Sequence, residues 1–275
     1  MDRIFEAIIY GIIQGLTEFI PISSTAHIRI LPALLNWGDP GAAYTAVIQI
    51  GTLIATFVYF KQDILELING FFRAIKNRSY KDDPYARLSL LIIIGTLPIS
   101  FFGLTLKKYI EGGFRGLYVI SASLIVLAII LFIAEKVTKH RKEFEQISVM
   151  DGIIIGFAQA VALIPGSSRS GVTITAGLFC GLKRDTAARF SFLLSIPAIF
   201  LSGVYELYSE RHALLQENTI GLIVATVVSG IVGYLSIAFL INYLKTRSNL
   251  LFIVYRIILG IIILVLLYTG VLQNL

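Results

Sequence analysis

The sequence predicts an all-α polytopic membrane protein with an inverted-topology repeat, each half a re-entrant broken helical hairpin plus three transmembrane helices. Three observations predict it. First, 56% of the 275 residues are hydrophobic and only 15% are charged, against roughly 25% charged in soluble domains. The apolar runs are long and continuous rather than alternating, which favours helices over a barrel. Second, two apolar regions, about 4–35 and 150–180, are interrupted near their middles by Pro21 and Pro165. Third, the two interruptions resemble each other.

The elements follow in order. Full-length spans are expected at about 43–60, 88–106, 117–135, 187–208, 219–241 and 251–272. The halves of the interrupted regions are each about 15 residues, too short to cross a bilayer alone. A broken polar backbone at membrane depth survives only where protein or water covers it, so both regions are read as re-entrant hairpins. "GIIQ" (11–14) matches "GFAQ" (156–159) at an offset of 145, and "IPISS" (20–24) matches "IPGSS" (164–168) at 144, with one residue gapped between them. Three spans follow each hairpin. An odd number of crossings inverts the second half, so the two breaks are expected to meet near the midplane. The whole chain, 1–275, is then one transmembrane domain, with repeat one at about 1–136 and repeat two at about 150–275.

Charge sets the orientation. With the N-terminus outside, the inside segments carry Lys61, Arg73, Lys76, Arg78, Lys81, Arg87, Lys136, Lys139, Arg141, Lys142, Lys183, Arg184, Lys245 and Arg247. The outside segments carry only Arg3, Lys107, Lys108, Arg115 and Arg211. This asymmetry follows the positive-inside rule. It also accounts for the net charge of +6 without a nucleic-acid partner. The stretch "KQDILELINGFFRAIKN" (61–77) has near-helical apolar spacing and is expected to lie on the cytoplasmic membrane surface. The single cysteine, Cys180, excludes an internal disulfide and a Cys-rich metal site. The acidic start "MDRIFEAIIYGIIQ" argues against a cleavable signal peptide.

The chemistry lies in the breaks. A charge at the bilayer centre costs at least about 2.5–3.5 kcal/mol, so buried charges need a reason. Gln14 and Glu18 are four apart and share a helix face. Glu18 lies near a helix C-terminus, where the dipole disfavours an anion; a metal ion, an arginine or a proton must compensate. Ser23 and Ser24 can cap the next helix, and Ser24 and His27 share one of its faces. A hydroxyl and an imidazole near a carboxylate suit nucleophilic or acid–base catalysis. Capping serines and a satisfied buried histidine are the plainer alternative. The second break, "IPGSSRSGVT", sets Gly166, Ser168, Arg169, Ser170 and Thr173 at a helix start. Backbone N–H groups there bind anions, and an arginine fork fits phosphate. The Walker spacing is absent. The residues alone leave open a phosphoryl-transfer enzyme or a lipid-phosphate transporter, since transporters also use broken helices in inverted repeats. Other polar residues are expected to be peripheral: Arg189 snorkelling, Glu206 and Arg256 interfacial, His140 and His212 solvated in loops, Trp37 an interface anchor.

"QGLTEFIPISSTAH" and "PGSSRSGVT", with "VIQIGTLIA" and "FSFLLSIPA", resemble the undecaprenyl-diphosphate phosphatases of the bacitracin-resistance type across essentially the whole chain. The resemblance implies hydrolysis of a polyprenyl diphosphate lipid to the monophosphate and inorganic phosphate, recycling the carrier for cell-wall glycans. It implies a site open to the outer face of the plasma (inner) membrane, and homodimers. Its catalytic residues would be Ser24, His27, Glu18 and Arg169, and its phosphate-binding residues Ser168, Arg169, Ser170 and Thr173. It further implies a divalent cation, Mg²⁺ or Ca²⁺, near Glu18 and Gln14. The commoner family form has two glutamates; Gln14 departs from it, and an amide oxygen ligates such ions more weakly.

Overall fold

The computed structural model describes residues 2–35, 37, 40–210 and 219–274. Its elements are helical: α1 Asp2–Phe19, α2 Ser24–Leu35, α3 Gly41–Tyr59, α4 Lys61–Asn77, α5 Pro84–Thr105, α6 Lys107–Glu111, α7 Leu117–Val137, α8 Val149–Ala160, α9 Arg169–Phe179, α10 Arg184–Ser209, α11 Thr219–Leu244 and α12 Leu250–Tyr268. Among the described residues no strand forms; a single parallel bridge joins Lys142 to Leu182. Five helices, α5, α7, α10, α11 and α12, are long and apolar enough to cross a membrane, and the pair α3–α4, bent by 81°, passes the same test only when its two helices are taken together. The five match expected spans with shifted ends, and α3 covers the sixth expected segment, 43–60. α5 starts a turn early because Asp83 caps it, accepting from the N–H of Tyr85 (3.0 Å) and Ala86 (3.1 Å), and Pro84 at the first helical position has no N–H to satisfy. The Arg73 guanidinium, donating to Asp83 at 2.6 Å, holds that carboxyl below the usual carboxylate range.

α4 leaves α3 at 81°. One face packs Leu67, Gly70 and Ala74 inward, and Leu65, Ile68, Phe72 and Ile75 stay exposed. The helix is amphipathic, as the apolar spacing of 61–77 predicts.

The packing exchanges partners between the two halves. α1 lies on α11, and α8 lies on α5; α3 meets α10, and α7 meets α12. The close contacts use small residues, as helices do where water cannot drive their association. A Cβ on Gly156 would sit 2.4 Å from the Cα of Gly95, and one on Gly11 would sit 2.6 Å from the Ala225 carbonyl. The small residues fall at matching positions: Ala7, Gly11 and Gly15 on α1; Gly152, Gly156 and Ala160 on α8. Each pair is 145 apart. α10 runs through the middle, with Phe190, Phe192, Leu193 and Leu194 fully buried.

Most of the fourteen basic residues assigned to the inside sit at one end, which is tied together by polar contacts. Glu135 at the end of α7 accepts from Arg184 Nε (2.8 Å) and from the backbone N–H of Asn249 (2.9 Å). Arg189 is at this end too, donating to Asp63 and lying 3.9 Å over the Phe144 ring. At the opposite end Lys107 pairs with Glu206 at 2.9 Å. His140 departs from expectation: it is not solvated but packed, its side chain 10% exposed, against Thr138 and Glu135. Trp37 packs edge-on against Tyr10 at 5.9 Å. Arg211 and His212 lie outside the described residues.

Candidate functional site

Both breaks are built by one local device. α1 ends at Phe19 and α2 begins at Ser24, with Ser23 as its cap: the Ala26 N–H donates to Ser23 Oγ at 3.3 Å. After α8 a short 3₁₀ turn, Val161–Leu163, leads to α9, capped by Ser168, whose Oγ accepts from the Gly171 N–H at 3.1 Å. Both caps hold left-handed backbone, φ 77° at Ser23 and 66° at Ser168. That region is uncommon for a serine and costs roughly 1–3 kcal/mol, and such strain concentrates at functional sites. Ser23 and Ser168 are 145 apart, the same offset as the small residues. The caps thus keep the 145 offset of "GIIQ" and "GFAQ", whereas the prolines are 144 apart. Along this ungapped register Gln14 matches Gln159, Glu18 matches Leu163, and Ser24 matches Arg169. Gly166 has φ 89°, and a Cβ there would meet the Ile120 carbonyl at 2.6 Å, so no other residue fits that turn.

The breaks meet at Glu18. Its Oε2 accepts from Gln14 Nε2 (2.6 Å) and from Ser24 Oγ (3.1 Å). Its Oε1 accepts from the Arg169 guanidinium. Glu18 is buried, and Arg169 is partly open. Of the three ways to compensate a carboxylate at a helix C-terminus, the structure uses the arginine. One carboxylate thus gathers the amide of α1, the first residue of α2 and the first residue of α9.

The remaining expected residues line the start of α9. Ser168 Oγ lies 3.2 Å from Ser170 Oγ. Thr173 Oγ1 pairs with Ser191 of α10 at 2.6 Å and is buried. His27 is not joined to Ser24: its Nδ1 is bonded to the Ser23 carbonyl (2.7 Å) and its Nε2 to the Tyr255 hydroxyl (2.7 Å).

Arg256 overturns its expected interfacial place. It is fully buried, the largest such side chain among the described residues. It donates to the Ser167 carbonyl (3.0 Å), the Ser123 carbonyl (3.4 Å) and, weakly, the Pro21 carbonyl (3.5 Å). One guanidinium therefore braces both breaks from α12, and its Nε has no partner. A Cβ on Gly171 would sit 2.6 Å from Arg256 Nη1. The sequence signal was an arginine one turn into an apolar span, long enough to snorkel but equally able to turn inward. The buried guanidinium of Arg256, the partly open one of Arg169 and the N-terminus of α9 stand against one carboxylate. The site carries a surplus of positive charge, which suits an anionic substrate.

Among the described residues no group of three or more His, Cys, Asp or Glu side chains is placed to hold a metal ion. Gln14 Oε1, however, is buried without a partner beside Glu18. Two protein oxygens suit an ion such as Mg²⁺, which keeps waters and takes further oxygens from a phosphate.

These features define a polytopic helical membrane protein whose polar site joins two helix breaks through a carboxylate, a guanidinium and a hydroxyl. The chain belongs to the family described as bacitracin resistance protein BacA, whose model matches residues 7–262. A protein of Prosthecochloris aestuarii named undecaprenyl-diphosphatase is 54% identical over 279 residues, covering 98% of this chain and 99% of its own length. Proteins of the same name from Chlorobaculum tepidum (54%, 98% of each chain) and Myxococcus xanthus (53%, 97% of this chain and 90% of its own) are similarly close.

Proposed function

We propose that Ser24 is the nucleophile of an undecaprenyl-diphosphatase, activated by Glu18. The protein hydrolyses undecaprenyl diphosphate to undecaprenyl monophosphate and inorganic phosphate. The observation that carries the mechanism is the Ser24 Oγ–Glu18 Oε2 hydrogen bond, with the other carboxylate oxygen held by Arg169. Ser24 Oγ attacks the terminal phosphorus while its proton passes to Glu18. The bond from that phosphorus to the bridging oxygen breaks, and undecaprenyl monophosphate leaves. Water then attacks the phosphoserine, releasing inorganic phosphate and restoring the hydroxyl. Arg169 has five N–H donors; those not spent on Glu18 bind the equatorial phosphate oxygens, where charge grows in the transition state. Gly166 gives the turn its shape, and the Ser168–Ser170 hydroxyl pair and Thr173 complete the phosphate bed at the start of α9. A divalent cation, held by Gln14 Oε1 and Glu18, would neutralise phosphate charge when bound.

A lipid-phosphate carrier needs the anion clamp but no nucleophile aligned on a base, so the Ser24–Glu18 bond favours the enzyme. The inverted repeat with re-entrant hairpins is supported by the exchanged packing and the constant 145 offset. Gathering the basic residues at one end supports a plasma-membrane orientation with the N-terminus outside.

Phosphate release from a detergent-solubilised polyprenyl diphosphate tests the reading. Wild type should release phosphate, and Ser24→Ala should lose about a thousandfold or more in kcat, as removal of a nucleophile does elsewhere. Unchanged release from Ser24→Ala would remove Ser24 from the chemistry; no release from folded wild type would sink the enzyme reading.

A further inference from the structure

We infer that Tyr255 and His27 form a positioning pair that holds the Ser23–Ser24 peptide in its strained turn, and that His27 is not a proton carrier or nucleophile. The inference deepens the phosphatase reading and rests on it for the kinetic tests.

The geometry assigns the protons. His27 Nδ1 lies 2.7 Å from the Ser23 carbonyl oxygen. A carbonyl only accepts, so Nδ1 carries the hydrogen. His27 Nε2 lies 2.7 Å from the Tyr255 hydroxyl. In the neutral ring Nε2 has a lone pair and accepts from the phenol. The two rings are also nearly parallel, 8° apart with centroids at 5.7 Å. Both ring nitrogens are thus engaged with partners other than Ser24 and Glu18. His27 has neither a free lone pair for Ser24 nor a free proton for a leaving group.

What the pair does hold is the peptide plane immediately before Ser24. Ser23 sits at φ 77°, a conformation that persists only where neighbours over-determine it. Its Oγ accepts from Ala26, and its carbonyl accepts from the His27 ring and, at 3.4 Å, from the His27 backbone. The ring bond is the shortest of these. It fixes where that carbonyl points and so where the next residue, Ser24, presents its hydroxyl. Tyr255 in turn holds the far nitrogen of the ring, so that the imidazole is anchored at both ends. The second break achieves the equivalent turn at Ser168 without a histidine: Val172 stands at the position matching His27, and the Arg256 guanidinium holds the Ser167 carbonyl just before that cap. Consecutive residues of α12, Tyr255 and Arg256, therefore serve the two turns.

The test uses the full-length protein in detergent and compares replacements of different reach. Asn at position 27 puts an amide N–H near the place of Nδ1, whereas Gln puts it near Nε2. A positioning role through Nδ1 predicts that His27→Asn stays within about tenfold of wild-type kcat while His27→Gln and His27→Ala fall about a hundredfold. Tyr255→Phe, which keeps the ring, should lower kcat by about three- to tenfold with KM within about twofold. Ring-nitrogen NMR in a His140→Gln, His212→Gln background reads the tautomer without any turnover. Wild type should show a protonated Nδ1, and Tyr255→Phe should shift the Nε2 resonance. His27→Asn as inactive as His27→Ala would mean that the imidazole itself reacts, and would overturn the inference. So would Tyr255→Phe leaving both kcat and the Nε2 resonance unchanged, or wild type showing a bare Nδ1. If wild type hydrolysed no polyprenyl diphosphate, the phosphatase reading would fail while the NMR arm still judged the pair.

Discussion

The first break and the second use the same backbone for different ends. In each, an inward helix carrying small residues is followed by a serine cap at positive φ, Ser23 or Ser168, and then by a shorter helix. Each inward helix carries a buried glutamine, Gln14 or Gln159, whose Oε1 lacks a partner. The chemistry then diverges at two matched positions. Glu18 faces Leu163 in the register, and Ser24 faces Arg169. The first break supplies a carboxylate and a hydroxyl; the second supplies the guanidinium that pairs with the carboxylate. The two breaks share their capping turns and differ in the side chains around them. The turns are costly to change because each satisfies a helix start inside an apolar surround.

The comparison can be broken where it matters most. Arg169→Ala should reduce kcat by about 10²–10³-fold, the loss expected when a donor to developing charge is removed; turnover near wild type would deny the second break any chemical share. Arg256→Met keeps bulk and removes three carbonyl contacts. It should lower thermal stability and cut kcat by roughly ten- to a hundredfold, because both turns lose a shared brace and buried carbonyls go unsatisfied; a scanning unfolding measurement beside the assay separates the two effects. Gln14→Ala should cost less than about tenfold in the presence of excess Mg²⁺, and a chelator should slow the variant more than wild type if the amide holds the cation. Leu163→Ala should change kcat by less than about twofold, although it stands where the first break has Glu18. A large loss there would show that the matched position is chemical in both halves.

Some of this was legible in the chain as written. The long apolar helices, the amphipathic helix after Phe60 and the two interruptions follow from apolar run length, proline and serine, because in lipid every backbone group must be satisfied locally. Glu18, Arg169 and Ser24 stood out because polar groups inside an apolar chain are too costly to keep idly. The sequence could state that Glu18 needed a positive partner, but not choose among a metal, a proton and an arginine. That choice depends on how close Arg169, 151 residues away, comes when α8 and α9 pack back against the first half.

Tertiary structure alone decided three further things. It turned Arg256 inward, since an arginine's long stem lets the same residue snorkel or brace depending on which neighbours leave carbonyls unpaired. It set the capping serines, Ser23 and Ser168, at the same 145-residue offset as the small contact residues, which differs from the 144 of the prolines. It drew His27 to Tyr255 rather than to Ser24. Helical spacing puts residues 24 and 27 on one face, but the direction of an imidazole is set by what surrounds it, and here that is a phenol 228 positions along the chain. Local sequence determined where the helices break, since caps and backbone bonding act over a few residues. Which breaks meet, and which charges pair across them, depended on packing between segments that the sequence keeps far apart.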